Sequence, residues 1–88
     1  MRSAIVTGAG AGIGKAISEK LSENNYRVGM LDLNESDVSK ASKGIENSFP
    51  LYGDVTNENS IREAFGKFGE VPDLLVNNVG IVLFSPLE

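Results

Sequence analysis

The 88-residue chain contains no cysteine and no histidine. The first absence excludes a disulfide framework, thiolate metal sites and cysteine nucleophiles, and the second excludes an imidazole-bound zinc or a Ser-His-Asp triad within these residues. No apolar run approaches the roughly 20 residues of a membrane span, and no signal-peptide pattern opens the chain. We therefore expect a cytoplasmic protein with no membrane partner and no metal site.

Positive charge is also scarce. Eight Lys and Arg residues against 12 Asp and Glu residues give a net charge of -4, without a basic cluster. This balance argues against a nucleic-acid partner. With 41% hydrophobic and 23% charged residues, the composition is that of an ordinary globular chain. The length fits one small domain or part of a larger one.

Short apolar runs alternate with amphipathic segments. Four strands are predicted at residues 2–7, 26–31, 48–52 and 74–76, separated by helices at about 12–24, 34–43 and 56–69. This alternation predicts a parallel sheet with right-handed crossovers. Because Pro50 cannot donate a ladder hydrogen bond, the third strand belongs at a sheet edge, which the order 3-2-1-4 provides. In that order a ligand lies outside the carboxyl ends of the first and fourth strands.

Single residues predict where the helices begin and end. Asn34 is the expected N-cap of the second helix, and Gly44 is its expected left-handed end. Thr56 or Asn57 caps the third helix, and Gly69 ends it. The core face of the first helix is predicted from its apolar residues, which are Ile13, Ala16, Ile17 and Leu21.

Four glycines in seven positions lie between the first strand and the first helix, in the segment VTGAGAGIG that ends at Gly14. Here free amide groups and the helix dipole favour an anion, and glycine lets the backbone approach a pyrophosphate. The phosphate-loop pattern G-x-x-x-x-G-K-[ST] fails twice, at Ala9 and at Ala16. The pattern G-x-G-x-x-G is not met either, since Ile13 stands where the third glycine is needed. The residues from Thr7 to Gly14 fit T-G-x-x-x-G-x-G.

With this pattern the chain resembles the short-chain dehydrogenase/reductase family, and three later motifs extend the resemblance. Asp32 stands at the end of the second strand, Gly53-Asp54-Val55 follows the third, and Asn77-Asn78-Val79-Gly80 follows the fourth. Val79 departs from the family motif, which usually has alanine there. The resemblance implies an α/β fold, a Rossmann-like three-layer sandwich. Residues 1–88 would form the N-terminal half of its NAD(P)-binding domain, incomplete relative to the full family fold.

The resemblance assigns these motifs to a dinucleotide. Asp32 would bind both ribose hydroxyls and repel a 2′-phosphate, and Ala11 stands where NADP-preferring relatives often carry a basic side chain, so NAD is expected rather than NADP. Asp54 would reach the adenine amino group. The full set of expected cofactor-binding residues is Gly8, Gly10, Ala11, Gly12, Ile13, Gly14, Asp32, Leu33, Asp54, Val55, Asn78, Val79 and Gly80.

Each glycine of the loop has a separate expected role. Gly8 would set the turn, Gly12 would admit the pyrophosphate, Gly14 would let the helix pack closely, and Gly10 would add flexibility.

Two polar motif residues also have structural alternatives. Asp54 could begin an Asx turn before the third helix. For Asn77 a structural bond to the neighbouring strand is favoured, whereas Asn78 and Gly80 are the better ligand candidates.

Members of this family transfer a hydride with a serine and a Tyr-x-x-x-Lys pair. In this chain Tyr26 is followed four places on by Met30, and Tyr52 by Thr56, so neither tyrosine belongs to such a pair. No catalytic residue is assigned. The expectation is an NAD(P)-dependent oxidoreductase of alcohol or carbonyl substrates, represented by its dinucleotide-binding half and inactive as an isolated chain.

Two other functions stay open: a non-catalytic dinucleotide-binding module or redox sensor, and a structural subunit. The apolar edge Leu74–Val76 and the tail Ile81–Phe84 predict self-association or pairing with another chain.

Overall fold

A computed structural model describes residues 1–78, which form a parallel sheet with intervening helices. The elements are β1 (Arg2–Thr7), α1 (Gly12–Glu23), β2 (Tyr26–Asp32), α2 (Glu35–Lys43), β3 (Ser48–Tyr52), α3 (Glu58–Phe68) and β4 (Leu74–Val76). The strand order is β3-β2-β1-β4, and the three pairings are parallel. The predicted sheet, its order and the edge position of Pro50 are confirmed. Val79, Gly80 and the tail Ile81–Phe84 lie outside the described residues.

Helices cover both faces of the sheet and complete a three-layer sandwich. Because consecutive strand residues point to opposite faces, Ile5 and Val6 of β1 join different core clusters. On the face covered by α1 and α2 the buried residues are Val6, Ala9, Val28, Met30, Val38, Ala41 and Ile45. On the face covered by α3 they are Ile5, Leu31, Leu51, Ile61, Ala64 and Phe68. Within residues 1–78, no helix has the length and apolar character that a bilayer span requires.

The core face of α1 differs from the prediction. Its buried and partly buried residues are Gly14, Ile17, Ser18, Leu21 and Ser22, whereas Ile13 and Ala16 are exposed. These five follow the spacing i, i+3, i+4, i+7, i+8 of a helix face. The Ser18 hydroxyl donates to the Gly14 carbonyl at 2.9 Å, which satisfies its polar group in the core. Hydrophobicity alone misses this face because one glycine and two serines belong to it.

Asparagine side chains begin two of the helices. Asn34 Oδ1 accepts a hydrogen bond from the Asp37 N–H at 3.0 Å, as predicted for α2. Asn57 Oδ1 accepts from the Ser60 N–H at 3.0 Å, which identifies Asn57 rather than Thr56 as the cap of α3. Each side chain satisfies one N–H of a first turn that lacks an intrahelical partner.

The two helix-ending glycines behave differently. Gly69 ends α3, as predicted, and it does so in the left-handed region with a φ of 86°. Gly44 has a φ of −94°, so the predicted left-handed end of α2 is wrong. The chain instead makes a further tight turn that buries Ile45, and the left-handed residue comes later, at Asn47 with a φ of 55°.

Side chains hold the short strand β4 to β1 at both ends. At the amino end, Asp73 Oδ2 accepts from the Ser3 N–H at 2.8 Å, and the Asp73 N–H donates to the Ser3 carbonyl at 2.9 Å. At the carboxyl end, the Thr7 hydroxyl oxygen accepts from the Asn78 N–H at 2.9 Å. Ser3 and Thr7 are buried. These bonds fix the position of the chain where it leaves β4, next to the glycine-rich loop.

Replacing Ile61 by valine tests the α3 side of the core. Ile61 is 1% exposed, so the loss of one methylene from this packed site should lower the free energy of unfolding by about 1 kcal/mol. Val71→Ala is the control, because Val71 is 88% exposed and its change should stay within about 0.5 kcal/mol. Urea unfolding followed by circular dichroism measures both. Equal losses in the two variants would contradict the assignment of Ile61 to the core.

Candidate functional site

The loops that follow the strands are hydrogen-bonded to one another at the carboxyl edge of the sheet. The Gly10 N–H donates to the Asp32 carboxylate at 2.8 Å, and the Gly53 N–H donates to the Asp32 carbonyl at 3.2 Å. The Asn78 side-chain amide donates to the Gly8 carbonyl at 3.4 Å. The four predicted motifs therefore converge, and β1 and β4 lie side by side where the strand order reverses.

The N-terminus of α1 is open, unlike those of α2 and α3. Ala11 occupies its cap position and supplies no side-chain hydrogen bond, and its first turn has no acidic residue. The other two helices have asparagine caps and acidic residues in their first turns. The unpaired N–H groups of the first turn of α1 and its dipole can therefore stabilise a negative group.

Gly12 leaves the backbone at this helix start uncovered. It is exposed with a φ of 58°, and apart from its chain neighbours and the backbone of its own helix no described atom lies within 4 Å of the position that a Cβ would occupy. An anion can therefore lie directly against the main chain, and a left-handed φ at this position favours glycine. The predicted role of Gly12, close approach of a pyrophosphate, fits this geometry.

Gly14 allows α1 to pack against the turn that ends β1. A Cβ at Gly14 would overlap the carbonyl oxygen of Gly8 and lie 2.9 Å from Nδ2 of Asn78. Gly8 itself has a φ of 64°, so it forms the predicted turn. The close packing expected of Gly14 is also present, and its partner is the carbonyl group of the turn.

Two backbone N–H groups hold the Asp32 carboxylate. Oδ2 accepts from the Gly10 N–H at 2.8 Å, and Oδ1 accepts from the Asn34 N–H at 2.9 Å. Asp32 is partly buried, and Asn34 is also the cap of α2. The predicted site residue is thus held between the glycine-rich loop and the second helix.

Gly10 has a structural requirement other than the flexibility expected of it. A Cβ there would lie 2.9 Å from Oδ2 of Asp32 and 2.9 Å from the Cβ of Asp37 in α2. The residue is buried, and its φ is not among the positive values. Glycine is needed at this position because the loop packs against the start of α2.

Asp54 forms the Asx turn that was its alternative interpretation. Its Oδ1 accepts from the Thr56 hydroxyl at 2.6 Å and from the Thr56 N–H at 2.9 Å. The hydroxyl first, and then the N–H, hold the pKa of the Asp54 carboxyl below its ordinary value. Val55, beside it, is partly buried against the α3 core cluster. Both bonds engage Oδ1, so a ligand would bind at Oδ2.

Both asparagines after β4 are bonded to the end of β1 and its turn. Asn77, for which a structural bond was favoured, accepts from the Thr7 hydroxyl at 3.5 Å through Oδ1. Asn78, the expected ligand residue, also makes structural bonds, from its N–H to the Thr7 hydroxyl oxygen and from its side-chain amide to the Gly8 carbonyl. Thr7 thus has a structural role that its place in the motif does not by itself predict, since a buried hydroxyl at the end of a central strand needs a partner.

Two large apolar side chains are exposed beside these polar groups. Ile13, in the first turn of α1, is 71% exposed, and Leu33, directly after Asp32, is 72% exposed. Ligand sites in proteins usually combine such apolar surfaces with a few oriented polar groups. The arrangement can bind a ligand that has an anionic group, hydroxyls and an apolar ring.

Comparison with known proteins identifies relatives of the chain. The family model described as short chain dehydrogenase matches residues 2–88. A 3-oxoacyl-[acyl-carrier-protein] reductase of Staphylococcus epidermidis is 38% identical, and the match covers 91% of this chain and 36% of that protein. An NAD-dependent glycerol dehydrogenase of Listeria innocua is 36% identical, with 97% and 35% covered.

A solved structure shares the fold. A 3-oxoacyl-[acyl-carrier protein] reductase with bound NAD from Brucella melitensis superposes with a TM-score of 0.83 at 35% identity, covering 91% of this chain and 32% of that one. The chain spans about a third of the length of the relatives it matches.

Substitution of Gly14 by alanine tests the packing of α1 on the turn. The added methyl group meets backbone atoms of Gly8, which cannot rotate away as a side chain can, so we expect a loss of about 3 kcal/mol or failure to fold. Gly66→Ala is the matched control. Gly66 is exposed inside α3, and outside its own helix no described atom lies within 4 Å of its Cβ position, so this change should stabilise by about 0.5–1 kcal/mol. Thermal unfolding measures the stability of both variants. A Gly14→Ala variant as stable as the parent would contradict the close contact between Gly14 and the Gly8 carbonyl.

Thr56→Val tests the Asx turn. The change removes the hydroxyl that contributes most to lowering the pKa of Asp54, so that pKa should rise toward its ordinary value while the bond from the residue 56 N–H remains. A lowered carboxyl pKa contributes stability above the unfolded-state pKa, and this contribution is lost as the pH falls through the folded-state value. The variant should therefore lose it at higher pH than the parent. Carboxyl carbon-13 NMR measures the titration, with Ser36→Ala as control. An unshifted titration would refute the assignment.

Proposed function

Because the chain belongs to the short-chain dehydrogenase family, we propose that residues 1–88 form the dinucleotide-binding part of an NAD-dependent oxidoreductase. In this proposal the whole protein transfers a hydride between the nicotinamide ring and an alcohol or carbonyl substrate. The observation that carries it is the open start of α1 beside the fixed carboxylate of Asp32. The cofactor, when bound, supplies the hydride chemistry.

The pyrophosphate is assigned to the glycine-rich loop. The backbone at Gly12 is not covered by side chains, and the first-turn N–H groups of α1 favour a negatively charged ligand. The wider phosphate-binding set is Gly8, Gly10, Ala11, Gly12, Ile13 and Gly14. In this set Gly8, Gly10 and Gly14 determine the shape of the loop. Gly8 has a positive φ, and at Gly10 and Gly14 neighbouring atoms leave no room for a Cβ.

The adenosine ribose is assigned to Asp32. Each carboxylate oxygen already accepts one N–H and keeps capacity to accept a hydroxyl, so the two oxygens can bind the two ribose hydroxyls. A 2′-phosphate would meet the same carboxylate. Two like charges about 4 Å apart repel by roughly 1–4 kcal/mol near a protein surface. This repulsion supports NAD in preference to NADP.

The adenine ring and further contacts to the adenosine ribose are assigned to the remaining motif residues. Leu33 provides exposed apolar surface for the ring, and Asp54 keeps one carboxylate oxygen outside its turn. The main chain at Val55 completes the adenine contact. Asn78, with Val79 and Gly80 beyond the described residues, would border the adenosine ribose.

Residues 1–88 do not contain the Tyr-x-x-x-Lys pair expected of the family, so we assign them binding rather than hydride transfer. We also propose that the protein works in the cytoplasm.

The edge of β4 supports the expected self-association or pairing with another chain through Leu74–Val76. Leu74 is 38% exposed, and β4 pairs with β1 alone among the described strands.

Asp32→Asn tests the proposal with two ligands, which are the ADP-ribose part of NAD and the corresponding 2′-phosphorylated part of NADP. The chain is titrated with ADP-ribose and with 2′-phospho-ADP-ribose, and binding is followed by amide NMR, which tolerates millimolar Kd values. The parent should prefer ADP-ribose by about 10-fold or more, because a 2′-phosphate faces a fixed charge. The variant should bring the two Kd values within about threefold of each other.

The control for this experiment is Glu63→Gln, which removes the same charge from the exposed face of α3 and should keep the parent preference. Absence of ADP-ribose binding by the parent would overturn the proposed function. Binding with equal Kd values for both ligands would overturn only the preference for NAD.

A further inference from the structure

We infer that Gly10 is a positioning residue for nucleotide selection: its missing side chain lets its N–H fix the Asp32 carboxylate against rotation. The inference rests on the proposed function and adds a second residue to the discrimination between NAD and NADP. Gly10 acts through Asp32 and need not touch the nucleotide.

The hydrogen bonds define the orientation of the carboxylate. Gly10 donates to Oδ2 at 2.8 Å and Asn34 donates to Oδ1 at 2.9 Å, so each oxygen is held by a different stretch of backbone. Hydrogen bonds to a charged acceptor are shorter and stronger than neutral ones. The carboxylate of Asp32 cannot turn from a 2′-phosphate without breaking both bonds.

Space, rather than backbone conformation, explains why this position is glycine. The φ of Gly10 is not positive, so an alanine could adopt its conformation. A Cβ would nevertheless lie 2.9 Å from the Cβ of Asp37 and 3.2 Å from the backbone nitrogen of Val38. Val38 is fully buried, which fixes this part of α2 to the core. A side chain at position 10 must therefore push the loop away from α2.

Displacement of the loop would also move its N–H away from Asp32. The same Cβ would lie 2.9 Å from Oδ2 itself, at the oxygen that the N–H now binds. With that bond lost, only the Asn34 N–H would hold the carboxylate, and rotation about its bond to Cβ would become possible. A mobile carboxylate can turn toward water and admit a phosphate. Position 10 thus controls how strictly Asp32 excludes the 2′-phosphate.

Gly10→Ala tests this inference through selectivity. The ratio of the Kd for 2′-phospho-ADP-ribose to the Kd for ADP-ribose should fall by about fivefold or more, because the larger ligand gains when the carboxylate can move. Gly66→Ala, an exposed glycine substitution in α3, should leave the ratio unchanged. A structural role alone would weaken both ligands equally and keep the ratio. An unchanged ratio in a folded Gly10→Ala, with the parent still discriminating, would overturn the inference and spare the proposed function.

A second measurement needs no ligand and no change at Gly10. In Asp32→Asn the acceptor of the Gly10 N–H loses its charge, so the amide proton resonance of Gly10 should move upfield by several tenths of a part per million, whereas the Gly66 amide should not move. An unmoved Gly10 resonance would overturn the inference even if Gly10→Ala fails to fold. If the parent binds neither ADP-ribose compound, the proposed function fails and the selectivity role falls with it.

Discussion

The contact between Gly14 at the start of α1 and the Gly8 carbonyl at the end of β1 is the constraint on which the site depends. No side chain fits between them, so the helix begins directly against the turn. The amide of Asn78 reaches the same carbonyl, which brings the end of β4 to this point. One close backbone approach therefore fixes the open helix start, the turn and the neighbouring strand end together. A larger residue at position 14 would separate all three.

Hydrogen bonds at buried Ser3 and Thr7 attach the short strand β4 to β1. A strand as short as β4, with its three residues, gains few ladder hydrogen bonds. The bonds from Asp73 to Ser3 and from Asn78 to Thr7 extend its attachment beyond the ladder at both ends. Buried polar groups of this kind are costly unless they are paired. Within the described residues no buried side-chain nitrogen or oxygen lacks a partner. Polar pairing, as well as apolar burial, thus positions the candidate site.

Local patterns predicted most of the fold, and long-range geometry explains the differences. Strands, the edge position of β3 and the helix ends at Asn34 and Gly69 are each determined by a few neighbouring residues. These features could therefore be predicted from the sequence. The prediction was wrong at Gly44, where the chain continues into a turn that buries Ile45, a tertiary contact that local sequence does not reveal. The need for glycine at position 10 arises from α2, more than 20 residues along the chain. The motifs predicted where the loops converge and what Gly8 and Gly14 do, whereas the requirement at Gly10 follows from a contact between distant parts of the chain.

The electrostatic character of the site changes over a short distance, and this change defines what it can bind. At the start of α1, N–H groups without side-chain caps favour negative charge. At Asp32, a carboxylate held by two N–H groups disfavours it. Binding of an anion by backbone groups needs no basic side chain, which is compatible with a net charge of -4. A ligand that satisfies both ends must carry its charge at the helix and uncharged hydroxyls at the carboxylate. In the proposed complex, the pyrophosphate and adenosine ribose of NAD meet both conditions, whereas a 2′-phosphate places charge at the wrong end.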